Sequence, residues 1–367
     1  MVAAFEPTST RWEVDRMRYI GVDVGKRRCQ ACVMDEEGTV VDEFPFENTF
    51  EGIRRLLERL PDCACRAVLE STGNLWLRIY EALEGHGVEV KLANTSKTRA
   101  IAEARIKTDR LSARILAHLL RADLIAECFV APPETRRVRA LLRQRASLVR
   151  MRTRVKNRVH GLLDRYGYRS RWSDTFGVGG MRWLRGLEMD PVDRCILDTH
   201  IRHLECLNDE IGVLDSWIAS RARESEDALL LMTLTGLDYY GAMLVACEIG
   251  DIRRFSSPKN FVSWIGLCPS LHQSGSSTRM GRLKKDSNGR VRWMLVQAAR
   301  VASRTDPRMR QLYRRVASRR GDGKAVIRVA NKMATIIWHM LTKRQPYKQV
   351  KEALYTSKLK KMARIAS

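Results

Sequence analysis

The chain of 367 residues is long enough for two or three domains, and its hydrophobic share of 44% supports at least one sizeable core. Its 66 lysines and arginines against 42 aspartates and glutamates give a formal net charge of +24, which predicts attraction to nucleic acid or to an anionic membrane surface. No run of 18 or more apolar residues is present, so no membrane span is expected and nucleic acid is the leading partner. Residues 1–16 lack a hydrophobic signal region and are interpreted as a short leader on a cytosolic protein.

The segment 17–131 has the pattern of an α/β domain. Three apolar segments predict strands that pair as a meander, and helices then alternate with two further strands. This order predicts a mixed sheet with helices on its faces. The predicted strands are 17–24, 27–35, 39–46, 66–71 and 88–93, and the predicted helices are 49–60, 74–87, 96–104 and 109–122.

Nine cysteines are present, and their spacing does not favour a zinc site. Cys29 and Cys32 fall within one predicted strand, where residues three apart face opposite sides. Cys63 and Cys65 form the other close pair, and the remaining five are single. Nine free thiols are typical of a reducing cytoplasm rather than of a disulfide framework.

The segment 132–227 is predicted to be helical. Apolar residues recur every seven positions in two series, which predicts long paired helices or a coiled coil. The series are Leu141, Leu148, Val155, Leu162 and Leu197, Leu204, Ile211, Ile218. The two helices could pair with each other or with another subunit, and a homo-oligomer, either dimer or tetramer, is expected. Residues 166–183, rich in glycine and aromatic side chains, are interpreted as the tip of a helical hairpin.

The first of these helices carries a dense positive charge. Ten arginines or lysines and no acid occur between positions 136 and 158. A solvated face is the simplest interpretation, but so many like charges repel one another, which favours contact with phosphate groups. The arginines that we expect to bind nucleic acid here are Arg143, Arg150, Arg154 and Arg158.

The segment 228–350 is predicted to be mainly helical, and 351–367 is interpreted as a basic tail. Its predicted helices flank a glycine turn within 229–255 and then occupy 256–267, 291–303 and 324–341. The glycine turn at TGLDYYGA (235–242) could direct backbone N–H groups at a phosphate, but a plain helix connection is about equally supported. Residues 268–289 have little apolar periodicity and are rich in serine, glycine and cations.

Three acids fall at matching places on the predicted N-terminal sheet. Asp23 ends the first strand, Glu70 ends the fourth, and Asp109 opens the last helix of the domain. Each alone is explained as a turn residue or as a helix N-terminal acid favoured by the helix dipole. Together they could converge at one sheet edge and offer the oxygen ligands that two Mg²⁺ ions need for phosphoryl transfer. We therefore expect Asp23, Glu70 and Asp109 to be metal ligands and catalytic residues.

The segments at these acids, GVDVGK (21–26), LESTG (69–73) and KTDRLSAR (107–114), resemble the DEDD transposases of the insertion-sequence 110/116/902 family, which includes the Piv-type DNA invertases. The resemblance continues downstream over 235–299 and covers nearly the whole chain in the right order. It implies an α/β N-terminal RNase H-like, or RuvC-like, domain that binds Mg²⁺, an α-helical coiled-coil spacer and a mainly α C-terminal transposase domain. It also implies a DNA recombinase of the prokaryotic cytosol or nucleoid that acts on donor and target DNA.

The family's chemistry implies a serine nucleophile that attacks a DNA phosphodiester and holds it as a phosphoserine. It also implies a non-coding guide RNA, the bridge RNA, that pairs with both DNA partners. The serines available in HQSGSSTRMGR (272–282) are Ser274, Ser276 and Ser277, and Ser274, the serine before the glycine, matches the family nucleophile. A serine hydroxyl needs a base, a metal or cationic help, whereas a flexible linker is the simpler interpretation of such composition. The cations that could hold the phosphate are Arg279, Arg282, Lys284 and Lys285.

The chain departs from the family pattern at one predicted ligand. The family has a second aspartate three residues after the first on the last helix, and here that position is Ser112. A hydroxyl is a poorer metal ligand than a carboxylate, so metal affinity should fall or shift to one tight site, or this copy is impaired. Two other functions stay open: a RuvC-like, structure-selective nuclease that uses water, and an RNA-binding scaffold with a degenerate metal site.

Overall fold

The computed structural model of the chain describes residues 17–95, 97–98, 109–274, 277–283 and 287–366. The predicted leader and most of the predicted helix at 96–104 lie outside these residues. The chain divides into two compact units between Val130 and Ala131. In the described part, no helix is both long enough and apolar enough to cross a membrane.

The first unit is built on a five-stranded mixed sheet. Its strands are β1 (Arg18–Asp23), β2 (Arg28–Met34), β3 (Val40–Glu47), β4 (Cys65–Glu70) and β5 (Glu89–Ala93), and its helices are α1 (Phe50–Glu58), α2 (Leu77–Gly85) and α3 (Asp109–Arg121). The strand order is β3-β2-β1-β4-β5. The first three strands form an antiparallel meander, and β4 and β5 extend the sheet in parallel to β1. The predicted mixed sheet is confirmed.

Helices cover both faces of this sheet. Alternate residues of the strands pack against α1 and α2 on one side, where Leu56 is fully buried, and against α3 on the other. Cys29 belongs to the first cluster and Cys32 packs with Ala113 of α3, so the two thiols face opposite sides as the strand prediction requires. Burial raises the pKa of both thiols to about 11, because a thiolate is costly in an apolar core.

Helix α3 approaches β1 closely at Gly21. A β-carbon at this position would lie 2.0 Å from the carbonyl oxygen of Ala113 and 2.6 Å from the backbone nitrogen of Ala117. Both alanines are fully buried, so the helix backbone itself rests on the strand. Glycine is required here by close backbone approach, and this contact fixes the position of α3 over the sheet.

The second unit is mostly helical. Its helices are α4 (Pro133–Arg165), α5 (Val178–Arg185), α6 (Pro191–Glu224), α7 (Glu226–Met232), α8 (Tyr239–Ile249), α9 (Pro258–Ile265), α10 (Gly289–Thr305), α11 (Pro307–Arg320), α12 (Asp322–Lys343) and α13 (Glu352–Ala366). The long helices α4 and α6 pack against each other within the chain, through a cluster that includes Leu162, Leu197 and Leu204. The prediction of paired long helices is confirmed, and of the two alternatives the structure contains the pairing within one chain.

Three parts of this unit differ from the sequence expectations. Residues 268–289 contain a two-stranded antiparallel hairpin, β6 (Pro269–Ser274) and β7 (Ser277–Leu283), where no strand was predicted. Helix α11 was also missed, because its six arginines leave only Met309 buried and hide the apolar periodicity. The segment interpreted as a basic tail is a helix, with Met362 buried and the Lys358 ammonium donating to two carbonyl oxygens of the α7 end and the following turn.

The contact at Gly21 can be tested by unfolding. We expect Gly21→Ala to lower the free energy of unfolding by about 3 kcal/mol or more, because the added methyl group meets backbone atoms that cannot rotate away. Gly85→Ala is the matched control, since a β-carbon there meets nothing within 4 Å. The measurement is urea denaturation of both variants, and equal stability of the two would contradict a close approach at Gly21.

Candidate active site

Two of the predicted acids lie side by side at one edge of the sheet. Asp23 and Glu70 end the parallel strands β1 and β4, and the residues just before them are register partners. Adjacent strands are about 4.8 Å apart, so the two acidic side chains are attached at neighbouring backbone positions. By strand alternation Asp23 is on the same face as Gly21, the face that α3 covers. Both acids are partly buried.

Helix α3 carries the third predicted acid, Asp109, and the other predicted ligand, Ser112. Asp109 is the first residue of α3 and is exposed, and Ser112 follows one turn later and is partly buried. The spacing to Ala113 and Leu116, which pack on the sheet, places both on the sheet-facing side of the helix. Asp109 therefore lies on the sheet-facing side of α3, one turn before Ala113, where the helix contacts β1.

These side chains do not form a ready ligand group. Among the described residues, no three or more histidine, cysteine, aspartate or glutamate side chains are arranged to hold a metal ion. The structure thus places Asp23 beside Glu70 but does not bring Asp109 into one ligand set with them. The metal-binding role of the three acids and of Ser112 stays a prediction.

A cation near this edge has an intramolecular partner. Arg114 of α3 donates through two nitrogens to the two carboxylate oxygens of Glu43 on β3, at 2.8 and 2.9 Å. The Glu43 side chain is only 7% exposed, so this bidentate pair fixes the guanidinium on the β3 side of the helix. Arg114 is consequently a structural residue, whereas Arg105 and Lys107 of the same basic stretch lie outside the described residues.

Ser274, the predicted nucleophile, ends strand β6 at the turn of the hairpin. It is the register partner of Ser277, the first residue of β7, so two residues alone connect the strands. A Gly-Ser dipeptide between two strands is a known hairpin signal, and this was the feature that could have predicted the fold of 268–289. Arg279 and Arg282 of β7 are exposed, and Lys284 and Lys285 lie outside the described residues.

The base of the hairpin is held by a buried acid that the sequence analysis did not single out. Glu248 of α8 accepts hydrogen bonds from Arg143 of α4, at 2.9 Å, and from the side-chain amide of Asn288, at 3.0 Å. Asn288 in turn caps the N-terminus of α10, directly after the hairpin. On the other side, Asn331 of α12 donates to the carbonyl oxygen of Leu267, just before β6. A charged residue within the apolar run AMLVACEIG was the available signal for Glu248.

The ionisation of Glu248 depends on these contacts. Burial alone would raise the pKa of this carboxyl, but the Arg143 guanidinium and the Asn288 amide together hold the pKa below its ordinary value. Arg139 adds hydrogen bonds to the carbonyl oxygens of Cys247 and Glu248, at 2.7 and 3.1 Å. Glu248 is therefore a charged junction between α4, α8 and the N-terminus of α10.

The arginines of α4 fall into an inner and an outer group. Arg143 is engaged by Glu248 although its side chain is 43% exposed, and its role in nucleic-acid binding stays a prediction. Arg145 pairs with Asp215 of α6 at 3.0 Å and lies over the ring of Tyr240. Three other predicted binding residues are exposed and recur every four residues, so they share one helix face: Arg150, Arg154 and Arg158.

The turn before α8 has the plain helix connection rather than an open phosphate site. The side chain of Asp238 caps α8 by accepting a hydrogen bond from the backbone nitrogen of Gly241, at 2.9 Å. This carboxylate occupies the place that an anion would take at the helix N-terminus. Gly236, with φ of +97°, packs directly against the backbone of Ala298. The alternative of phosphate binding at 235–242 is therefore not supported.

Family models match both parts of the chain in order. A DEDD transposase model of the insertion-sequence 110 group matches residues 20–168, and a model described as transposase IS116/IS110/IS902 family matches residues 228–314. The chain belongs to this transposase family. The first match covers α4 and the sheet edge at which Asp23 and Glu70 lie, which we call the acid edge. The second match covers Glu248 and the hairpin with Ser274.

Relatives of this transposase align over most of its length. It is 27% identical over 348 residues to the transposase for insertion sequence element IS1111A of Coxiella burnetii, covering 90% of this chain and 92% of that protein. It is 26% identical over 342 residues to a probable family 20 transposase of Pseudomonas aeruginosa, and the alignment covers 90% of this chain and 98% of that protein. It is 23% identical over 344 residues to the pilin gene-inverting protein of Moraxella bovis, covering 90% and 97%. The enzyme is thus a transposase or recombinase.

Substitution of Glu248 tests the junction through its pH dependence. At neutral pH we expect Glu248→Gln to lower the free energy of unfolding by about 2 kcal/mol, less than for a fully buried pair because Arg143 is partly exposed. A carboxyl with a lowered folded-state pKa contributes stability above its unfolded pKa of about 4.3 and loses it as the pH falls below that value. The difference in the free energy of unfolding between Glu248→Gln and the wild type should therefore shrink as the pH falls below this value.

The measurement is chemical denaturation across a pH series, with Glu210→Gln as the control because Glu210 is exposed on α6. A difference for Glu248→Gln that is independent of pH would show that the carboxylate charge is not what stabilises the junction.

Proposed function

We propose that this transposase cuts and rejoins donor and target DNA through a phosphoserine formed at Ser274, with Mg²⁺ held by Asp23, Glu70 and Asp109. The observation that carries the proposal is the placement of Asp23 and Glu70 at the adjacent ends of β1 and β4. The strand order β3-β2-β1-β4-β5, with a meander followed by parallel strands, supports an RNase H-like, RuvC-like identity for the first unit. Membership of the transposase family supports the reaction type.

The donor set at the sheet edge fits a hard divalent cation. Asp23, Glu70 and Asp109 would offer carboxylate oxygens, and Ser112 a hydroxyl oxygen, which are the ligand types that Mg²⁺ takes in proteins. One or two such ions would supply charge neutralisation at the reacting phosphate. Because α3 rests directly on β1 at Gly21, through Ala113 and Ala117, the helix that begins with Asp109 is positioned over the sheet that carries Asp23 and Glu70.

The serine step would be a transesterification at phosphorus. The Ser274 oxygen forms a new ester bond with the phosphorus, one P–O bond of the DNA breaks, and the leaving deoxyribose oxygen takes up a proton. Attack of a DNA hydroxyl on the phosphoserine then restores the serine and joins a new strand. Arg279 and Arg282, both exposed on β7, and Lys284 and Lys285 would neutralise the phosphate during these steps.

Nucleic-acid binding would rest on the outer face of α4. Arg150, Arg154 and Arg158 are exposed on one helix face, which supports contact with successive phosphates. We propose that a non-coding guide RNA is one of the partners and that the enzyme acts as a homo-oligomer in the cytosol or nucleoid. The functional division would be 17–131 for metal binding, 132–227 for nucleic-acid binding and self-association, and 228–350 for the nucleophile.

Replacement of the proposed nucleophile tests the reaction. We expect Ser274→Ala to abolish strand transfer and the covalent protein–DNA adduct while nucleic-acid binding is unchanged, because only the attacking oxygen is removed. The measurement is a denaturing gel of the protein with labelled DNA in Mg²⁺. Ser277→Ala, at the paired position of the hairpin, is the control and should retain the adduct.

Full recombination by Ser274→Ala would contradict the assignment. Mg²⁺-dependent cleavage without an adduct in the wild type would instead identify a nuclease, and binding without cleavage would identify a scaffold.

The metal proposal is tested by restoring the family's acid. If Ser112 occupies a ligand position, Ser112→Asp should lower the Mg²⁺ concentration needed for half-maximal strand transfer by about tenfold, because a carboxylate binds the ion more strongly than a hydroxyl. Direct titration of Mn²⁺ binding provides a readout independent of activity. Ser147→Asp, which adds the same charge at a partly buried position on α4, is the control. An unchanged metal dependence in Ser112→Asp would show that this position is not a ligand.

A further inference from the structure

A second positive surface lies between α11 and α12, away from the face of α4. The cleft has a volume of about 780 Å³ and is lined by residues of α11, of α12 and of the turn that follows α12. Its floor is apolar and includes Leu312, Ile336 and the buried side chain of Tyr347. Tyr347 is held by a hydrogen bond from its hydroxyl to Asp306, the N-cap residue of α11. The walls of the cleft are therefore fixed by packing and capping.

The charged lining of the cleft is entirely positive. Six exposed cations line it, and no aspartate or glutamate does: Arg308, Arg315, Arg328, Lys332, Lys343 and Lys348. In the described part of the chain, none of the six forms an ion pair. Arg328 donates instead to the neutral side chain of Asn331, at 3.2 Å. Six cations without an ion pair in the described part of the chain repel one another around this cleft, so a bound anion would stabilise the arrangement.

The spacing of the cations favours a polymer over a small anion. Arg328, Lys332 and Lys343 span 15 residues of α12, which corresponds to about 22 Å along the helix at 1.5 Å per residue. Arg308 and Arg315 on α11, seven residues apart, run along the opposite wall. One phosphate or sulfate ion cannot contact charges so far apart, whereas a phosphodiester backbone presents a charge at each nucleotide.

We propose that the cleft between α11 and α12 binds the phosphodiester backbone of a nucleic acid, as a contact surface separate from α4 and from the hairpin. This proposal rests on the proposed function in that it assumes nucleic-acid substrates. It adds a site whose cations were not among the expected binding residues. The apolar floor beneath the cations would accept sugar or base surface beside the backbone, which an ion-binding pocket does not need.

A salt titration of binding tests the site. The triple variant Arg315→Gln, Arg328→Gln, Lys332→Gln should bind about tenfold more weakly or worse at physiological salt, and its log–log salt slope should fall by about 2 to 3, because each lost phosphate contact removes close to one released counterion. The probes are a short duplex DNA and a single-stranded RNA of equal length, so that the two sources of the backbone are distinguished. The control is Arg55→Gln, Arg202→Gln, Arg223→Gln, which removes the same charge at exposed positions elsewhere.

A second measurement does not depend on variants. In the wild-type protein, bound nucleic acid should protect Lys332, Lys343 and Lys348 from acetylation while Lys324, on the same helix outside the cleft, stays reactive. If the triple variant and the control lost the same affinity and had the same salt slope, the proposed binding site would be wrong. It would also be wrong if an acidic peptide, but not nucleic acid, protected these lysines from acetylation. A wild-type protein that binds neither probe would instead refute the proposed function itself.

Discussion

The scarcity of carboxylates constrains this protein more than any other property. With 66 lysines and arginines against 42 aspartates and glutamates, at least 24 of the cations cannot have an acidic partner of their own. The position of each buried acid therefore decides which cations belong to the fold and which face outward. Glu43, Asp215 and Glu248 are the clearest cases, because each accepts hydrogen bonds from an arginine of another element. The remaining cations form positive surfaces that attract a polyanion.

This division is sharpest along α4. Toward its N-terminal half, Arg139, Arg143 and Arg145 bind the backbone and side chains of α6 and α8, so a strongly basic helix packs firmly on an apolar unit. Farther along, Arg150 and Arg154 turn outward with no described acid bound to them. A single helix thus joins the packing of the second unit to a positive outer face. The network at Glu248 also holds Asn288, the N-cap residue of α10, so the start of that helix depends on the same carboxylate that engages Arg143.

The sequence predicted the parts of this fold that local patterns encode. Strand alternation and turn residues were enough for the mixed sheet, and heptad spacing was enough for α4 and α6. The adjacency of Asp23 and Glu70 followed from strand ends alone. The close approach at Gly21 could not be predicted, because it depends on which helix crosses which strand. The partners of Arg114 and Arg143 lie 71 and 105 residues away in sequence, so no local pattern distinguishes these structural arginines from those that face outward.

The excess of cations over acids also matters at the acid edge of the first unit, where negative rather than positive potential has to be kept. An edge that is to attract a divalent cation must keep its negative potential inside a strongly positive protein. Arg114 lies on the same helix as Asp109 and could reduce that potential. Glu43, nearly buried on β3, binds this guanidinium through both oxygens and fixes it on the β3 side of α3. Glu43, which is not among the proposed ligands, therefore helps to preserve the charge of the edge.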